Sequence, residues 1–228
     1  MSTPSANLDQ IRARIAAACE RAGRDPADVH LLVVSKTRTP DEIRAVTACG
    51  QTLLAENRVQ EARDKIPLLN DPALAWHLIG PLQRNKVKTA LELFRMIHTV
   101  DSLELAEEIS KRNDRPQPFP VLMQINVGRE PQKSGVLPEE AIPLAQAIAR
   151  LPGLALQGVM TIPPFSPRAE ESRIWFRALA DLRERIAREA FPGVQMRELS
   201  MGMSHDYEIA VEEGATLVRI GSAVFEPS

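Results

Sequence analysis

Short apolar runs alternate with segments of helical periodicity along almost the whole chain, and that alternation restricts the fold more than any other feature. The runs occupy residues 30–35, 52–55, 75–79, 95–100, 120–127, 154–160, 196–201 and 216–220. The first ends in Leu31-Leu32-Val33-Val34-Ser35-Lys36 and stops at Thr37-Arg38-Thr39-Pro40. A continuous apolar run this short reads as a strand buried on both faces. Pro40-Asp41-Glu42 then opens a helix, with proline in the first turn and acids at the positive end of the dipole, and Gly50 ends it. Further helices are predicted over 57–69, 82–93, from a cap at Asp101 or Ser102, and over 138–150, 168–190 and 204–213. One more precedes the first strand, over 7–22, with Asn7 as its cap and Leu8, Ile11, Ile15, Ala18 and Cys19 at helical spacing. Eight strand–helix repeats predict an α/β protein, a single (β/α)8 TIM-type barrel over residues 1–228 with an additional N-terminal helix. The eighth strand lies almost at the C-terminus, so the closing helix is expected to be missing and the N-terminal helix to cover the seam. An open doubly wound sheet competes, but no G-x-G-x-x-G turn follows the first strand to favour it.

With 228 residues and 44% hydrophobic content the chain can fill one large core, and no polar, Gly/Pro/Ser-rich stretch is long enough to be a linker. A net charge of −2 leaves no electrostatic footprint for nucleic acid or an anionic membrane. Arg84, Lys86 and Lys88 are the densest basic cluster, and on a helix only Arg84 and Lys88 share a face, as on a solvated surface. No apolar run approaches the ~20 residues that span a bilayer, and no signal-peptide core is present. Cys19 and Cys49 have no ligand or disulfide-framework spacing. A soluble, cytoplasmic protein without a metal site is expected. Without sustained heptads there is no coiled-coil dimer, and a monomer is expected.

In a parallel barrel the carboxyl ends of the strands carry the site. Lys36 stands at the end of the first. With its stem in an apolar collar it has the makings of a Schiff-base amine, since desolvation frees the lone pair; as a plain alternative it closes the strand and reaches into water. The rim also receives Asn57 after the second strand, Ser200-Met201-Gly202 after the seventh, and Arg219, Gly221 and Ser222 at the eighth. Small residues and backbone amides after strands seven and eight make a phosphate cradle, and Ser200-Met201-Gly202-Met203-Ser204 leads into a helix whose amino end attracts an anion. A phosphate cradle with an amine nucleophile points to pyridoxal phosphate or to a sugar-phosphate aldolase.

Val33-Val34-Ser35-Lys36, Glu56-Asn57-Arg58-Val59-Gln60-Glu61 and Trp76-His77-Leu78-Ile79-Gly80-Pro81-Leu82-Gln83-Arg84-Asn85-Lys86 resemble the first three strand signatures of the pyridoxal phosphate homeostasis protein family, small relatives of the alanine racemase N-terminal barrel. Lys133-Ser134-Gly135, Gly158-Val159-Met160-Thr161, Leu199-Ser200-Met201-Gly202-Met203-Ser204 and Val218-Arg219-Ile220-Gly221-Ser222 follow in family order, so the resemblance spans essentially the whole chain. It implies that Lys36 forms the internal aldimine with pyridoxal 5′-phosphate and that Arg219 faces the pyridine nitrogen. It further implies that Ser200, Met201, Gly221 and Ser222 bind phosphate through hydroxyls and backbone N–H groups, and that Asn57 lines the ring. Ala55 and Arg58 depart from the family's glycine and aromatic, which puts the packing beside Asn57 in question. Phe225-Glu226-Pro227 departs from its Phe-Gly ending, which concerns only the C-terminal cap.

A guanidinium stays protonated and only donates hydrogen bonds, so Arg219 at the ring nitrogen favours the unprotonated ring, a poorer electron sink. An ordinary strand-end salt bridge is the alternative for Arg219. Racemases of this class take a second base from a tyrosine of a β-rich second domain, which is expected to be absent here; the lone tyrosine, Tyr207, falls in the helix after strand seven. Of the four histidines, His77 reads as a hydrogen-bonded barrel-wall residue, and His30 and His98 as strand-end residues without pairing. His205-Asp206 lacks further ligands. Ser35, with no histidine partner, and Met160, Met201 and Met203 read as packing. The resemblance therefore implies a non-enzymatic protein of vitamin B6 homeostasis that holds the cofactor as a Schiff base and hands it to cofactor-requiring apoenzymes. The alternatives are a pyridoxal-phosphate racemase or lyase with weak activity and, further off, the Schiff-base aldolase.

Overall fold

In the computed structural model, which describes residues 3–226, eight parallel strands close into a barrel in sequence order. They are β1 (His30–Val34), β2 (Leu53–Glu56), β3 (Ala75–Leu78), β4 (Met96–Val100), β5 (Phe119–Gln124), β6 (Leu154–Met160), β7 (Val194–Ser200) and β8 (Leu217–Ile220). Closure is direct: β1 pairs with β8 in register from His30↔Leu217 to Val33↔Ile220. Successive side chains of a strand point to opposite faces. Leu32 and Val34 therefore meet Leu53, Ala55 and Ile79 inside the barrel, above or beside a second interior group of Met96, Leu122, Met160 and Leu217. Val33, Leu54, Leu78 and Ile97 face outward into the larger core beneath the helices. Burying each of these side chains contributes about 1.5–3 kcal/mol relative to leaving it in water, so a strand shifted by one residue loses both layers at once.

The helices are α1 (Pro4–Arg21), α2 (Pro40–Thr47), α3 (Val59–Leu69), α4 (Val87–Leu93), α5 (Leu103–Arg112), α6 (Ala141–Ile148), α7 (Arg173–Arg188), α8 (Tyr207–Glu212) and the single turn α9 (Ser222–Phe225). Thr39 and Glu42 form a reciprocal capping box at the start of α2, and Ser102 caps α5. Where long helices were expected over 82–93, 138–150 and 168–190, a 3-10 turn precedes each α-helix. The fifth strand was expected to reach residue 127. It ends at Gln124 because the chain leaves the ladder there, keeping one bridge between Ile125 and Val136 while Asn126 Nδ2 donates to Glu130 O at 2.9 Å.

α1 covers the seam, as expected, through Leu8, Ile11, Ile15, Ala18 and Cys19. Its cap is Thr3 and not Asn7. Asn7 is buried inside the first turns, where Nδ2 donates to Val224 O at 3.0 Å and Glu226 O at 3.2 Å. Arg21 Nε reaches Glu212 on α8 at 2.7 Å, and Arg14 Nε reaches Glu208 at 2.9 Å. In the divergent C-terminal segment, Phe225 lies under the Arg38 guanidinium at 5.0 Å and Glu226 pairs with Arg38 at 3.0 Å; Pro227 lies outside the described residues. No helix among the described residues is long and apolar enough to cross a membrane.

Candidate functional site

Strand parity assembles the rim. On β1 the inward positions are Leu32 and Val34, and Lys36 is the next of that set; on β2 Leu53 and Ala55 lead to Asn57; on β8 Leu217 leads to Arg219. Lys36 is exposed rather than collared by apolar side chains. A tight turn holds its backbone: Thr37 adopts φ 63, its hydroxyl donates to Lys36 O at 2.6 Å, and Arg38 N–H donates to Ser35 O at 3.0 Å. Asn57 is half-buried, and its Oδ1 is shielded from water without a hydrogen-bond partner. Its carbonyl presses on Gly80, where a Cβ would stand 2.1 Å from Asn57 O. Ala55, one of the two departures here, is fully buried against the interior of the barrel, and Arg58, the other, pairs with Glu61 at 3.6 Å.

Arg219 is 3% exposed. Nη1 donates to Ser200 Oγ at 2.7 Å and Nη2 to Thr161 O at 2.8 Å. Among the described residues no carboxylate lies within ion-pair distance of it, so the alternative of an ordinary strand-end salt bridge does not hold. Burial lowers its pKa to about 10, opposed by the more distant Asp206, and it stays a cation at neutral pH. Ser200, assigned above to phosphate, is fully buried with its hydroxyl already engaged by Arg219 and, at 3.0 Å, by His98 Nδ1. His98 is likewise not an unpaired strand-end residue: it lies within β4, fully buried, with Nε2 3.0 Å from His77 Nδ1. Desolvation lowers the pKa of both imidazoles, that of His77 to about 4.

Next to Ser200, the Met201 N–H, also expected to reach phosphate, donates to Leu217 O of the neighbouring β8 at 3.2 Å. Asp206 precedes α8 without a side-chain cap bond to it, and its carboxylate, which receives the Met203 N–H at 2.8 Å and the Ser172 hydroxyl at 2.9 Å, occupies that end of the helix. What stays open is the Gly221–Ser222 turn. Ser222 is exposed, and Gly221 N–H points at Ser204 Oγ, 3.4 Å away. A Cβ at Gly221 would come within 3.3 Å of Val34 O, so the residue keeps the turn against β1. Ser204 was visible in the sequence only as part of a motif.

The sequence reading also missed a buried pair behind Lys36. Glu56 is fully buried at the outward end of β2; its Oε1 takes Lys65 Nζ from α3 at 2.6 Å and the Ser35 hydroxyl at 2.7 Å, and Lys65 also donates to Ser35 O at 2.8 Å. A charged residue closing an apolar strand was the available signal.

The chemistry of this mouth suits a phosphorylated pyridine aldehyde. A rim amine stands at one strand end, a small hydroxyl-lined turn at another. The same rim carries a guanidinium with no counter-ion and an amide oxygen with no donor among the described residues. The closed barrel and this arrangement of its rim define a protein of the alanine racemase N-terminal class, and the family model described as "Alanine racemase, N-terminal domain" matches residues 6–228. The pyridoxal phosphate homeostasis protein of Aquifex aeolicus is 46% identical over 221 residues, covering 96% of this chain and 95% of its own. That of Pseudomonas aeruginosa is 44% identical over 229 residues, covering 99% and 96%. The structure of PipY from Synechococcus elongatus with PLP bound superposes with a TM-score of 0.81 at 35% identity, covering 94% of this chain and 99% of that one. The chain belongs to the pyridoxal phosphate homeostasis protein family.

Proposed function

We propose that this chain binds pyridoxal 5′-phosphate at the barrel mouth as a Schiff base on Lys36, limiting the free aldehyde and releasing it to cofactor-requiring apoenzymes in the cytoplasm. When bound, the cofactor supplies an aldehyde that condenses with a primary amine, with loss of water. The observation that carries the reading is Arg219: a buried guanidinium without a carboxylate partner, on the same rim as an exposed lysine. Arg219 donates one hydrogen bond to the ring nitrogen and, having no lone pair with which to accept one from a protonated ring, keeps that nitrogen unprotonated. Asn57 lines the ring and presents its unpartnered Oδ1. Gly221 and Ser222, with Ser204, hold the phosphate. Ser200 serves Arg219, and Met201 packs beneath the turn.

The same groups argue against efficient carbanion chemistry, which draws on a protonated ring and, for racemisation, on two bases. Tyr207 is 1% exposed under α1, with the Arg14 guanidinium 5.4 Å over its ring, and it supplies no base to the mouth. His77 and His98 are bound to each other inside the barrel. The purified chain is expected to be yellow with bound cofactor, to lose that absorbance with borohydride, and to carry the reduced label on Lys36. Exchange of an amino acid Cα proton with deuterated solvent is expected at background level. A colourless protein that takes up no cofactor refutes the binding, and vigorous exchange refutes the non-catalytic role.

A further inference from the structure

Four inward side chains from β3, β4, β7 and β8 form one unbroken chain across the barrel: His77 Nδ1 to His98 Nε2 at 3.0 Å, His98 Nδ1 to Ser200 Oγ at 3.0 Å, and Ser200 Oγ to Arg219 Nη1 at 2.7 Å. His98 and Ser200 are fully buried, so water does not complete their bonding. Donor and acceptor counting then fixes the direction of every bond. A guanidinium only donates, so Ser200 Oγ accepts from Arg219 and must give its own proton elsewhere. The neighbour in reach is His98 Nδ1. His98 therefore carries its proton on Nε2 and donates to His77 Nδ1, which leaves His77 with its proton on Nε2 as well. The opposite direction makes Ser200 Oγ accept twice and strands its hydroxyl proton in a buried site, where an unmade bond is unfavourable.

We propose that His98, with His77 behind it, is a positioning residue for the cofactor's ring nitrogen, acting through Ser200 and Arg219; this rests on the role given to Arg219 above. The relay turns the Ser200 hydroxyl proton away from Arg219 and so offers the guanidinium a lone pair. With Thr161 O as second acceptor, the guanidinium plane is held and further N–H groups are free for the ring. The titratable groups facing His98 are His77 on β3 and Arg219 on β8, with Asp206 reaching Arg219 at longer range. Burial first, then the proximity of His77 and the Arg219 guanidinium, favours the neutral imidazole that the relay requires.

Two measurements test this. In the cofactor-free wild type with nitrogen-15-labelled histidine, long-range nitrogen–proton spectra at neutral pH are expected to show His77 and His98 neutral, each with its proton on Nε2. A proton on Nδ1 of His98 overturns the relay. In the loaded protein, His98→Leu is expected to move the pH midpoint of the lysine-linked cofactor's absorbance by about half a unit or more. Release of cofactor should rise by about tenfold. His98→Gln, which restores an acceptor and a donor, is expected to recover at least part of both. A folded His98→Leu protein with the wild-type midpoint and release rate overturns the inference. If His98→Leu does not fold, Ser200→Ala is read against the same two criteria. A wild type that takes up no pyridoxal phosphate overturns the cofactor reading itself, whereas a loaded wild type with unresponsive variants overturns only the positioning role.

Discussion

Lys65 Nζ lies 2.6 Å from Glu56 Oε1, and the same ammonium holds the carbonyl of Ser35, the residue before Lys36, at 2.8 Å. Glu61 adds a second tie from α3, accepting the Thr37 N–H at 3.4 Å. α3 therefore fastens both sides of the peptide that carries Lys36. The tie rests on a carboxylate that is fully buried and has its second oxygen, Oε2, without a partner.

Removing one member of a buried ion pair leaves the other uncompensated. Lys65→Met is expected to destabilise the chain by about 3–5 kcal/mol in urea unfolding, and Lys65→Met with Glu56→Gln to recover part of that loss. A single variant as stable as wild type contradicts the pair's role.

Lys36 is exposed and makes no side-chain bond that supports the fold among the described residues. Lys36→Ala is expected to change stability by less than about 0.5 kcal/mol without cofactor, and to abolish the borohydride-fixed label at this position. Full cofactor content and unchanged colour in the variant would remove Lys36 from the site.

Arg219→Glu exchanges a group that cannot accept a proton for one that pairs with a protonated ring. The absorbance of the bound cofactor and its pH titration are both expected to change. A wild-type spectrum in the folded variant means that the ring nitrogen does not meet this side chain.

At Gly80 a methyl group would fall 2.1 Å from the carbonyl oxygen of Asn57. Gly80→Ala is expected to cost about 1–3 kcal/mol and to weaken cofactor binding by displacing Asn57. Titration of the variant with pyridoxal phosphate checks the second effect separately from the first.

The buried histidines make stability depend on pH in a definite direction. His77 titrates at about 4 in the folded chain, against 6.5 when exposed. Between those values the unfolded chain binds more protons, so stability is complete above pH 6.5 and falls as the pH is lowered toward 4. His77 alone is expected to cost about 2 kcal/mol between pH 7.5 and pH 5, and His98 shifts the same way. Urea unfolding across this range checks it, since the loss begins above the range where ordinary carboxylates titrate.

The barrel was legible in the sequence because it depends on period: apolar runs at residues 31–34 and 217–220 are read the same way in isolation as in the barrel, where they pair. That Lys36, Asn57 and Arg219 share one rim was legible because strand ends of a parallel barrel lie together. The partners of Ser200, Met201 and His98 were not, because they lie on strands remote in the chain: Ser200 meets Arg219 from β8 and His98 from β4. Asp206, set beside His205 without further ligands in the sequence, takes the Met203 N–H and the Ser172 hydroxyl, partners that linear spacing does not announce. Glu56 and Lys65 meet only once α3 folds back over β2, and no linear spacing announces that.

The clasp of Asn7 on the carbonyls of Val224 and Glu226, together with the β1–β8 pairing, has a consequence for a chain emerging from the ribosome. The strand that leads to Lys36 is made early and can pair with β2 at once, yet its other edge, lined by Leu31, Leu32 and Val33, has no partner until residues 217–220 are synthesised. Such an edge is a template for pairing with other chains. Protecting that edge therefore falls to the last strand to be made, and shielding it until then is a task the fold itself does not perform.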